Sequence, residues 1–187
     1  MIFTIGHSTR SIGDFLALLK AAKVDCIVDV RRFPRSRRQP QFNDDALAES
    51  LRQAGIGYVH SAALGGRRGK CADGRLSPNT LWREESFRNY ADYAETPEFG
   101  RALGEVRAIA ASHRPAVMCA EALWWQCHRR LITDYLLAAG ETVEHIIAPG
   151  KIEPAKLTEG ARILPQGRVL YVAPDLFNVE VAKKPEG

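Results

Sequence analysis

The order of apolar runs constrains this chain more than any other feature. Short runs rich in β-branched residues alternate with longer stretches that are apolar at helical spacing. Residues 2–5, 26–30, 56–59, 116–119 and 143–147 read as strands. Between them, Ser11 and Asp14 have capping-box spacing around a stripe of Ile12, Phe15, Leu16 and Leu19. Asn43, Asp44 and Asp45 open a second helix with Leu47 and Leu51 inward, and Gly55 stops it. Residues 86–94 put Phe87, Tyr90, Ala91 and Ala94 on one face. Thr96 and Pro97 then cap a longer helix through Phe99, Leu103, Val106 and Ala110. Strands alternating with helices predict an α/β fold: a mostly parallel β-sheet with helices on both faces, a Rossmann-like three-layer sandwich. At 187 residues the chain is expected to form one domain, 1–187. It would carry an elaborated loop at about 60–82, rich in glycine, and an irregular tail from about 148. The apolar run 169–172 has no evident place in that tail.

Residues 115–139, PAVMCAEALWWQCHRRLITDYLLAA, hold the chemistry-bearing side chains. The strand 116–119 is followed by a helix with Leu131, Ile132, Tyr135, Leu136 and Ala139 at helical spacing, stopped by Gly140. Cys119 and Glu121 therefore sit at a strand end, and Cys127, His128 and Arg129 at a helix start. In α/β proteins ligands bind along that edge. A thiolate at Cys119 would be stabilised by the helix N-terminus and the neighbouring cations, so Cys119 is a candidate nucleophile; a buried structural thiol is the alternative. Glu121 fits either a general base or an ion pair, and His128 a proton carrier. A phosphatase-type C-x5-R loop is excluded, because Trp125 stands where the arginine belongs. Cys119 and Cys127 read as two reduced thiols or as a redox pair. No metal is expected: C-x7-C-H is not a zinc spacing, and further ligands would have to come from His7, His60 or Cys71 on distant loops. No other cofactor is implied. Cys26 lies in an apolar strand and reads as core.

Charge adds a partner class. The net charge is +4, but Arg31, Arg32, Arg35, Arg37 and Arg38 crowd one proline-broken segment. That favours an anionic partner, a phosphate-bearing small molecule or nucleic acid. Phe33 and Phe42 interleave with the basic residues, as suits base stacking, though both could instead anchor the loop. Asp29 reads as an ion-pair partner for Arg31. Gly6, His7, Ser8 and Thr9 make a strand-to-helix turn that could hold a phosphate through its amides and the Ser8 hydroxyl. Arg129, in the first turn of its helix, needs a compensating anion there. No apolar run is long enough for a bilayer, and MIFTIGHS enters a strand at once, so a cytoplasmic protein is expected.

Several motifs occur in an order that resembles the family called domain of unknown function 488. They are TIGHS at 4–8, DVRRFPRS at 29–36, PQFN at 40–43, LGG at 64–66 and CAEALWWQCHRR at 119–130. The resemblance implies a compact α/β domain and carries no established activity. Many relatives have a polar, proline-containing linker between the CAE and CHR segments, where this chain has Ala122-Leu123-Trp124-Trp125-Gln126. These readings lead to an enzyme acting on an anionic, phosphate- or nucleotide-bearing ligand at the carboxyl edge of the sheet. Cys119, Glu121 and His128 would act on a ligand held by His7, Ser8, Asp29, Arg31, Ser36 and Arg129. The alternative is a nucleic-acid-binding module that grips phosphates with Arg35, Arg37 and Arg38.

Overall fold

A computed structural model describes residues 1–70 and 76–173. The first five strands are β1 (Ile2–Gly6), β2 (Cys26–Asp29), β3 (Gly57–His60), β4 (Pro115–Cys119) and β5 (Val143–Ala148). With β6 (Lys151–Pro154) they form one sheet in the order β3-β2-β4-β1-β5-β6. The first five run parallel and β6 pairs antiparallel with β5. Among the described residues five helices complete the layers: α1 (Ile12–Ala21), α2 (Asp44–Gln53), α3 (Glu85–Tyr93), α4 (Pro97–Ala110) and α5 (Arg129–Ala138). The fold is the expected Rossmann-like α/β sandwich.

The two faces follow from the strand period of two. Phe3 and Ile5 of β1 with Ala116 and Met118 of β4 pack under α1 and α2, against Phe15, Leu19, Leu47 and Leu51. Ile2 and, from β4, Val117 and Cys119 point the other way, into the cluster holding Tyr90, Phe99, Val106, Leu131 and Leu136. Cys119 is thereby committed to the α3–α5 side of the sheet. The capping expected at Ser11 and Thr96 is present: both side chains accept from the backbone three residues on.

The tail departs from expectation. Residues 151–154, 161–163 and 169–171 form strands, with turns and loop between them. Pro149 and Gly150, the latter at φ 70°, turn β5 into β6. The run 169–172 is placed as β8 (Val169–Tyr171), antiparallel to β7 (Ala161–Ile163) in a separate two-stranded sheet. Tyr171 anchors that sheet, donating its hydroxyl to Asp134 at 2.9 Å. The long connection after β3 begins with a short turn, Ala62–Leu64, pinned by Tyr90 and Tyr93 hydroxyls to the Leu64 and Ala63 carbonyls at 2.6 Å each. Cys71 and Gly74, which belong to that connection, lie outside the described residues.

Candidate functional site

Three parallel strands, β1, β2 and β4, end side by side, with Gly6 opposite Cys119 and Asp29 opposite Met118. The chain leaving β4 is held against the chain leaving β1 by two amides: His7 donates to the Cys119 carbonyl at 3.0 Å and Ser8 to the Ala120 carbonyl at 2.8 Å. A Cβ at Gly6 would lie 1.9 Å from the Glu121 carbonyl oxygen, so only glycine allows this approach. Beyond Glu121 a short 3-10 turn, Trp124–Gln126, carries the chain back toward β4, with Trp124 stacked on His145 at 4.2 Å. Cys127 thus returns beside Cys119, and His128 becomes the N-cap of α5.

Four side chains converge. The Cys119 thiol donates to Glu121 Oε2 at 3.0 Å, and the Cys127 sulfur lies 3.9 Å from the same oxygen. Cys127 Sγ is 3.6 Å from His128 Nδ1. The ligating atoms of Cys119, Cys127 and His128 all lie within 4.8 Å of one another, close enough to share a metal ion. His128 Nε2 sits 3.1 Å from the Val30 carbonyl, which can only accept. Nε2 therefore carries a proton, and Nδ1 faces Cys127. Arg129 donates from Nε to Cys127 Sγ at 3.4 Å and from a terminal nitrogen to the Glu121 carbonyl.

The thiols are unequal. The hydrogen bond with Cys127, burial and the nearby Glu121 carboxylate all push Cys119 well above the usual thiol range. Burial alone would raise Cys127 too. The neighbouring Cys119 and His128 side chains and the Arg129 charge outweigh it and hold Cys127 well below that range. The sequence reading favoured Cys119 as the thiolate, from its strand end. The geometry favours Cys127, because the Arg129 guanidinium donates to its sulfur.

Cys119, Glu121, Cys127 and His128 line the floor of a cavity of about 310 Å³. Its walls include Arg31, Arg32, Arg35 and Arg67, with Phe33, Phe87 and Tyr90. Arg67 has no part in the sequence reading, which takes Arg32 only as one of the basic segment and Phe87 only as a helix-face position. Arg67 belongs to the glycine-rich connection, where no periodicity betrays direction; Arg32 donates to its carbonyl at 2.9 Å.

Other predicted residues fall elsewhere. Asp29 is fully buried and forks onto Arg31, with Nε to Oδ1 at 2.9 Å, and also accepts from Tyr58 at 2.9 Å. It is the expected ion-pair partner, and it leaves Arg31 on the cavity wall with its charge already matched. His7 and Ser8 do not line the cavity. His7 is buried against Phe42, donates from Nδ1 to the Ser8 carbonyl and takes an N–H from Arg31 at 3.4 Å. Burial lowers its pKa to about 4. The two amides of the GHST turn that could have met a phosphate are those bound to the Cys119 and Ala120 carbonyls. Ser36 is exposed in the arginine loop, its hydroxyl accepting from the Arg38 amide at 3.2 Å. Arg129 is 1% exposed and off the cavity wall, so a ligand there does not reach it. The basic loop splits: Arg35 joins the wall and pairs with Asp44 at 3.1 Å, while Arg37 and Arg38 are exposed away from it.

The fold and this edge define a class: a parallel-sheet α/β protein whose strand ends carry a thiol–carboxylate–imidazole cluster under an arginine rim. Residues 11–136, about two thirds of the chain, match the family described as domain of unknown function DUF488. The chain belongs to that family. No curated protein and no solved structure matches the chain. Among the described residues no helix is long and apolar enough to cross a membrane.

Proposed function

We propose that the protein is an enzyme acting on an anionic small molecule, phosphate- or nucleotide-bearing, bound in the cavity above the Cys119–Glu121–Cys127–His128 cluster. The observation that carries this reading is the convergence of four arginines and that cluster on one concave surface. Arg32, Arg35 and Arg67 bring cationic donors to the ligand, and Arg31 supports them from its pair with Asp29. Phe33, Phe87 and Tyr90 offer flat apolar surface for the uncharged part, as a base or ring would need. Glu121 combines exposure to the cavity with contact to both sulfurs, which suits it to move a proton at the reacting group. Free thiols at the floor fit a cytoplasmic setting.

Calorimetric titration with inorganic pyrophosphate and with nucleoside diphosphates tests the reading. Binding should weaken at least about tenfold when Arg32 and Arg67 are changed together to glutamine, the loss of charged hydrogen bonds. Unchanged affinity in that variant would contradict it. The nucleic-acid reading keeps one supporting observation, the exposure of Arg37 and Arg38 outside the cavity. It requires salt-dependent binding that falls in Arg37→Ala, Arg38→Ala.

A further inference from the structure

We propose that Cys119, Cys127 and His128 hold a zinc ion, with Glu121 as the fourth donor, the one facing the cavity. This deepens the enzyme reading by naming what fills the floor of its site.

Three observations carry it. The first is donor spacing. A tetrahedral zinc with ordinary Zn–S and Zn–N bonds sets its ligand atoms about 3.5–3.8 Å apart. Cys127 Sγ to His128 Nδ1 is 3.6 Å, Cys127 Sγ to Glu121 Oε2 is 3.9 Å, and Cys119 Sγ to that oxygen is 3.0 Å. The three Cys and His donors span no more than 4.8 Å. Closing a cation into their centre needs shifts of no more than about 1 Å, within side-chain freedom.

The second is the histidine. Val30 fixes the Nε2 proton, which leaves Nδ1, 3.6 Å from the Cys127 sulfur, as the ring nitrogen available to a metal. A backbone carbonyl on the remote ring nitrogen is also the usual outer support of a metal-bound histidine. Gly66 keeps the approach open: a Cβ there would lie 2.9 Å from Nδ1.

The third is charge. Arg129 is buried, and among the described residues its side-chain partners are the Cys127 sulfur and the Glu121 carbonyl, with no carboxylate in contact. A guanidinium donating to sulfur is the contact that a metal-bound thiolate accepts. Two thiolates and one carboxylate against zinc and one guanidinium leave the cluster neutral.

The spacing objection raised from the sequence fails for a geometric reason. The sheet and the 3-10 turn bring the C-x7-C-H donors together, and Glu121 from within that stretch supplies the fourth, so no distant loop is needed. Paired thiolates with one imidazole select zinc over magnesium or calcium. Glu121 is the exposed donor of the four, so an anion entering past the arginines meets the metal by displacing it.

The test uses the full chain and the metal alone. Zinc content after isolation and reconstitution should be one per chain. Titration with Co²⁺ should give intense thiolate-to-cobalt charge-transfer absorption. Cys127→Ser should lower zinc affinity, measured against a chromophoric chelator, by more than the roughly 10–100-fold typical of losing an outer partner, while Arg67→Gln on the cavity wall should keep it. Cobalt spectra of the unaltered protein decide the matter if Cys127→Ser does not fold. Failure to take up zinc, a cobalt spectrum without thiolate bands, or a Cys119–Cys127 disulfide in freshly isolated protein would overturn the proposal. Pyrophosphate binding to chelator-stripped protein separates the two claims. Binding without zinc uptake removes the metal alone, and zinc uptake without anion binding removes the enzyme reading alone.

Discussion

Arg31 and Arg129 are both buried guanidiniums at the same edge of the sheet, 7% and 1% exposed, yet they are neutralised differently. Arg31 has a dedicated carboxylate on its own segment: Asp29 forks onto it and is steadied by Tyr58 and the Arg31 amide. Arg129 has a sulfur and a carbonyl. One arginine is complete within the fold. The other donates to the Cys127 sulfur, which ties a structural residue to the site. An arginine on a cavity wall therefore does not by itself mark a ligand contact, and an arginine off the wall can still report on the site through the atom it holds.

The largest expected effect breaks the self-contained pair. Asp29→Asn leaves Arg31 buried without its counter-charge and should cost roughly 3–5 kcal/mol in urea unfolding. The cost should be the same with and without a zinc chelator. Arg129→Gln should behave otherwise. It should lower zinc affinity about 10–100-fold, and its stability cost should shrink when zinc is removed. Equal costs in both conditions would erase the contrast between the arginines.

A pH series sharpens the comparison, because a buried histidine sits near each arginine. Burial lowers both His7 and His145 from 6.5 to about 4. Above pH 6.5 both are neutral folded or unfolded, and their contribution is complete. As pH falls from 6.5 toward 4, the unfolded chain takes up protons that the folded chain refuses, so stability should decline across that window. Unfolding midpoints against pH should show a steep fall there. His7→Gln and His145→Gln should each flatten it, and a slope that neither changes would assign the effect elsewhere.

Gly66→Ala acts on one partner only. Its methyl would press on His128 Nδ1, so zinc affinity should fall measurably while the melting temperature moves little. Smallest of all, Arg37→Ala and Arg38→Ala should change stability by no more than about 0.5 kcal/mol each and leave pyrophosphate affinity intact.

Much of this architecture was legible in the residues. The five parallel strands and five helices follow from period and caps, as at Ser11 and Thr96. Strand β6 escaped because KIEP is short, polar and ends in proline, and its pairing depends on the turn at Gly150. Strand β8 showed as an apolar run whose three-residue partner carries no signal of its own. In the site, Cys119, Glu121 and His128 could be placed at the edge because strand and helix ends define it. The inward burial of Arg129 depends on the close approach at Gly6, a contact across more than a hundred residues that spacing does not express. Arg67 and Cys127 acquire their roles through the path of loops, where side-chain direction has no period to read.

The central claim is that the arginine-lined cavity over the cysteines is where this protein meets its anion. Crystals soaked in tungstate, an electron-dense oxyanion, test it most directly. Anomalous density is expected inside the cavity, among Arg31, Arg32, Arg35 and Arg67 and next to Glu121. Density confined to Arg37 and Arg38 on the outer loop, with the cavity left empty, would contradict it.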